Sequence, residues 1–76
     1  MGGFRLNYNK LWKLLIDRNM KRTDLLKAVG ISSATLAKMN KGQIISMEVM
    51  IRLCNYFQCE FSDLVSLSRD NEEYEL

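Results

Sequence analysis

Seventy-six residues, 47% hydrophobic and 26% charged, make one small domain without room for a buried active site and a substrate pocket together. Its apolar runs are too short to span a membrane, and its start lacks the basic, apolar and small-residue regions of a secretory signal, so a cytoplasmic location is expected. The net charge of +2 conceals a polarised chain: nine bases against two acids up to Lys41 (+7), then Arg52 and Arg69 against seven acids (−5). Such asymmetry suggests a basic face for a polyanion and an acidic remainder.

Residues 1–7 read as an N-terminal arm. Tyr8, Leu11, Trp12 and Leu15 recur at helical spacing, which predicts an amphipathic helix from Tyr8 to about Asn19 with Asn7 as N-cap. The same spacing makes Trp12 a core residue before it is a base-stacking one. A second helix is predicted from about Arg22 to Val29, with Leu25, Leu26 and Val29 inward. Lys21 is a poor cap, and Thr23 is the alternative cap of a shorter helix. Gly30 supplies the left-handed stop. Ser32 then caps a third helix running to about Asn40, and Gly42 turns the chain. A fourth helix begins at Ser46, with Glu48 favourably placed in its first turn and Met50, Leu53, Cys54 and Phe57 as its apolar stripe. A short fifth helix is expected at about Ser62 to Ser66. No strand is predicted, since Gln43-Ile44-Ile45-Ser46 is too short. The domain therefore covers residues 8–66, and residues 67–76 form an acidic tail with little to bury.

Catalytic and metal chemistry find little support. The chain has no histidine, and its two cysteines, Cys54 and Cys59, lack the spacing and number of a closed zinc site. Neither paired carboxylates nor a phosphate-binding glycine loop occurs. No enzyme activity, cofactor or metal is expected.

The densest signal is Gly30-Ile31-Ser32-Ser33-Ala34-Thr35-Leu36-Ala37-Lys38-Met39. One short helix stops and a second starts at once, small and polar at its N-terminal end and basic at its C-terminal end. Two helices so joined are the signature of a helix-turn-helix DNA reader. From Tyr8 to about Val65 the chain resembles the lambda-repressor-like (Xre/Cro type) helix-turn-helix family. The likeness runs through Asp24-Leu25, Gly30-Ile31-Ser32, Thr35-Leu36-Ala37-Lys38, Lys41-Gly42, Ser46 to Phe57 and Phe61-Ser62-Asp63-Leu64. Within the family the chain is most similar to short stand-alone bacterial regulators of the VanU type. The resemblance implies a compact all-α fold of five helices around one core. The chain departs from the family pattern at Leu26, where a small residue is usual, at Arg22, where a phosphate-clamping glutamine is common, and at Asn40, where glutamate is common.

In the major groove, residues at the N-terminal end of a reading helix meet base edges. The expected base contacts are Ser33, Ala34 and Thr35, with Lys38 one turn further and within reach of a guanine edge or a phosphate. Arg22, Ser32, Asn40 and Lys41 are the expected phosphate contacts, Ser32 having its main duty as a cap. Double-stranded DNA is the expected partner and a homodimer the expected state, with no membrane and no small-molecule effector evident. The competing function is a protein-interaction module, such as an antitoxin or adaptor, working through the acidic tail and apolar residues expected to be exposed, such as Ile44, Ile45 and Met47.

Overall fold

The computed structural model describes residues 3–69. It contains four α-helices, α1 (Asn9–Asp17), α2 (Asp24–Ala28), α3 (Ser33–Asn40) and α4 (Met47–Phe57), followed by a 3-10 turn at Phe61–Asp63. Two strands, β1 (Phe4–Asn7) and β2 (Ser66–Arg69), join the two ends of this unit as an antiparallel ribbon. The fold is thus mostly helical, with four helices where five were expected and a two-stranded sheet where none was.

Each helix begins and ends for a local reason. At the start of α1 the N-cap is Tyr8, not the expected Asn7, and no side chain caps the helix; Asn7 Oδ1 instead accepts the Asn9 N–H at 2.8 Å, an Asx-type turn that leads into it. Asn19 then takes a left-handed conformation (φ 58). The Met20 N–H reaches back to the Leu15 carbonyl at 2.9 Å and the Asn19 N–H to that of Ile16 at 3.1 Å, satisfying carbonyls the helix leaves open. The second helix starts at Asp24, later than Arg22. Asp24 Oδ2 accepts the Lys21 N–H at 2.8 Å, and the N–H groups of residues 24–26 each bond three residues back, the tighter pattern of a 3-10 entry.

The cap of α3 is as expected: Ser32 Oγ accepts the Thr35 N–H at 3.1 Å. In α4, Ser46 Oγ does the same for Val49 at 3.3 Å. Gly42 (φ +72) ends α3, and an added Cβ there would lie 3.2 Å from the Leu6 carbonyl oxygen of β1. Both its backbone angle and the passage of the strand therefore favour glycine. The expected fifth helix is only a 3-10 turn: Glu60 and Asp63 cap each other's backbone at its start, but Ser66, expected to end the helix, already belongs to β2.

The core draws on every helix. Leu11, Leu15, Leu25, Met39, Met50, Leu53 and Leu64 are essentially sealed from solvent, and Tyr8, Ile31, Leu36, Ile45, Phe57 and Val65 complete the cluster. Burying a side chain of this size contributes roughly 1.5–3 kcal/mol. Leu26, the departure from the family pattern, takes a half-buried place at the edge of this core, with Trp12 and Val29. The Tyr8 hydroxyl donates to the Gln43 carbonyl at 2.7 Å, tying the start of α1 to the loop after α3, and burial pushes its phenol up. Cys54 and Cys59 are free and half-buried; burial, with Asp63 nearby, pushes both thiols up, which keeps them protonated and poor nucleophiles.

The ribbon has two unlike faces. Its register sets Leu6 opposite Leu67 and Arg5 opposite Ser68, so residues alternate between sides. Asn7 Nδ2 donates to Ser68 Oγ at 2.9 Å on the polar side. Of the tail expected at residues 67–76, Leu67, Ser68 and Arg69 belong to β2, and the remainder lies outside the described residues.

Candidate nucleic-acid interface

The chain between α2 and α3 is a tight connection, with Gly30 at φ +81 and Ser32 extended. Arg52 on α4 holds it from outside: Nη1 donates to the Gly30 carbonyl at 3.3 Å while Nη2 pairs with Glu48 at 2.8 Å. Leu36 and Met39 turn α3 onto the core. That anchoring leaves Ser33, Ala34, Ala37, Lys38 and Asn40 exposed along the outer side, with Thr35 half-buried. Three of the four expected base-contacting residues, Ser33, Ala34 and Lys38, thus share one solvent-facing surface. Ala37 belongs to it as well; its spacing of four from Ser33 and from Lys41 is the signal that would have included it.

Thr35 differs from its neighbours. Its Oγ1 accepts a hydrogen bond from Ser32 Oγ at 3.0 Å, so its hydroxyl is part of the cap. The expected phosphate contacts divide in two. Lys41 lies exposed just past α3, and neither its ammonium nor that of Lys38 has an ion-pair or hydrogen-bond partner among the described residues. Arg22 and Asn40, by contrast, meet each other: Arg22 Nη1 donates to Asn40 Oδ1 at 2.7 Å. The same guanidinium lies 3.9 Å from the centre of the Trp12 ring. Trp12 therefore packs at the core's edge and also carries a cation. One planar group links α1, the entry to α2 and the last residue of α3, and its remaining N–H donors stay available to an anion.

Beside the C-terminal end of α3 lies a polar cleft of about 390 Å³, lined by Arg5, Asn7, Trp12, Asn40 and Lys41 among others. It brings the polar side of the ribbon next to the loop that carries Lys41. Chemically the whole surface offers hydroxyls, methyl groups and cations, a set suited to base edges and phosphates. Among the described residues, no cluster of acidic, cysteine or histidine side chains is arranged to hold a metal, and no helix is long and apolar enough to cross a membrane.

The family model of the Cro/C1-type HTH DNA-binding domain matches residues 10–70 of this chain. Among solved structures, the crystal structure of transcriptional regulator VanUg, Form II, is similar to it with a TM-score of 0.83. The two share 47% sequence identity over 87% of this chain and 88% of that one. No curated protein matches the chain.

Proposed function

The chain belongs to the Cro/C1-type helix-turn-helix DNA-binding family, and on that premise we propose that it is a sequence-specific transcriptional regulator that lays α3 in the major groove of double-stranded DNA. The family is one of DNA binders, not of enzymes. The observation that carries the proposal is the outer surface of α3, which is capped at Ser32, held to the core by Leu36 and Met39, and open to solvent at Ser33, Ala34 and Lys38.

In this assignment Ser33 and Ala34 read base edges, a hydroxyl offering a donor and acceptor and a methyl meeting thymine. Thr35 contributes its methyl, and its hydroxyl where the cap leaves it free. Lys38 reaches a guanine edge or a phosphate. Lys41 and the Arg22–Asn40 pair grip the backbone, with Ser32 and the adjacent helix N-terminus adding donors. A single eight-residue helix covers few base pairs, so a homodimer on two half-sites about 34 Å apart, or a multiple of that, completes the proposal.

The test separates reading from gripping, by fluorescence anisotropy on duplexes from upstream of the chain's own gene and on random duplexes. Ser33→Ala leaves the cap intact; it should cost about 1–2 kcal/mol on the preferred sequence and little on random DNA. Lys41→Ala should weaken both alike and reduce the salt slope by about one contact. If Ser33→Ala leaves sequence preference untouched while Lys41→Ala changes it, α3 docks by another face. Binding that ignores salt would favour the interaction-module function instead.

A further inference from the structure

The described residues include eight exposed large apolar side chains, and they are not scattered. Phe4 (63% exposed), Ile44 (76%), Met47 (60%), Phe61 (41%) and Leu67 (64%) line one groove of about 230 Å³. There the apolar face of the ribbon meets the loop before α4, the first turn of α4 and the 3-10 turn. Ile51 (55%), four residues after Met47, continues the stripe along α4.

We propose that this face is the dimer interface, pairing with the same face of a second copy of the chain about a two-fold axis. Area supports the choice of occupant. With roughly 150–200 Å² for a side chain of this size, the exposed fractions of these six residues amount to on the order of 600 Å² per copy. Two copies would bury on the order of 1,200 Å², the lower bound for a specific, stable protein pair. A patch this size is also at the upper limit of what a monomer leaves in water.

Charge supports it too. Among the described residues Arg5 is the only charged residue lining the groove, beside eight apolar ones, so the lining suits a partner that is itself largely apolar. A two-fold contact also requires a self-complementary patch. Here the most exposed side chains of the face, Ile44 and Leu67, themselves line the groove, so each copy offers the other both a groove and side chains to fill it. The inference deepens the function proposed above and rests on it, since an α3 that reads a half-site needs a second α3 held at fixed distance.

The test is sedimentation equilibrium of the full chain, free and on a duplex bearing two half-sites. The wild type should show twice the chain mass in at least one of these states. Ile44→Glu and Met47→Glu, at exposed positions, should weaken that association by at least about tenfold with unchanged circular dichroism melting; Phe4→Ser is an independent probe on the ribbon. Ile16→Glu, equally exposed but outside the face, should leave association intact. A chain that is monomeric in both states, or a dimer indifferent to all three face substitutions, overturns the proposal. So does equal dissociation by Ile16→Glu. Random-duplex binding measured alongside tells the two proposals apart: a dimer that binds no DNA removes the regulator and leaves the interface, and a strictly monomeric DNA binder does the reverse.

Discussion

The outer side of α3 and the apolar side of the β1–β2 ribbon are both turned to solvent, yet they are made of opposite materials. The first shows small hydroxyls, methyls and two lysines without partners among the described residues; the second shows Phe4 and Leu67 beside Ile44 and Met47. One is suited to contacts governed by charge and hydrogen bonding, the other to contacts governed by removal of apolar surface from water. A chain this small cannot keep all its large apolar residues inside, and it confines most of the surplus to a single face away from the one that carries the cations. The contrast makes each face testable without disturbing the other.

The largest expected effect is that of salt. If Arg22, Lys38 and Lys41 neutralise phosphates in both copies, raising salt from 50 to 200 mM should lower DNA affinity by about a thousandfold. Self-association through the ribbon face should stay the same or strengthen slightly, since no ion pair holds it. Anisotropy and sedimentation on one sample check both, and parallel responses would dissolve the contrast.

A smaller effect is expected at the Trp12–Arg22–Asn40 contact. Trp12→Ala should cost about 2 kcal/mol in denaturant unfolding through lost packing at the core's edge. Arg22→Lys keeps the charge but loses the plane over the ring and the fork toward Asn40, and should cost about 1 kcal/mol. Both should weaken DNA binding and leave the mass of the dimer unchanged. A change in association instead would mean that the two faces are coupled through α1.

Smallest are the two caps. Ser32→Ala should lower stability by about 1 kcal/mol, and Ser46→Ala, whose bond is longer, by about 0.5 kcal/mol, both read as shifts in thermal unfolding. The first should be felt on DNA and the second in self-association, because Ser46 opens the helix that carries Met47 and Ile51.

How much of this was legible in the sequence depends on how far apart the interacting residues lie. Ser32 and Ser46 each cap a helix within three residues, and Leu36 with Met39, or Met50 with Leu53 and Phe57, carry their periodicity in plain view; α1, α3 and α4 were therefore readable. The ribbon was not. Phe4-Arg5-Leu6-Asn7 alternates over only four residues, and what makes it a strand is Ser66–Arg69, some sixty positions away. The same holds at the candidate interface. That Ser33 and Lys38 share a surface follows from helical spacing, but the meeting of Arg22 with Asn40 over the Trp12 ring depends on how α1 and α3 pack. The fifth helix stops at a single turn because the chain enters β2 at Ser66, again through a pairing with β1 that no local pattern displays.

The pairing of β1 with β2 also sets an order of events during synthesis. A ribosome releases Phe4 early and Arg69 only after every helix has emerged, so the helical segments can begin to form while β1 still has no partner. The ribbon can close only once Ser66–Arg69 has been made, and with it the groove that draws Phe4 and Leu67 from opposite ends of the described chain. A translation product stopped short of Ser66 would carry all of α3 and none of β2, and would leave the apolar side of β1 without the strand that pairs with it.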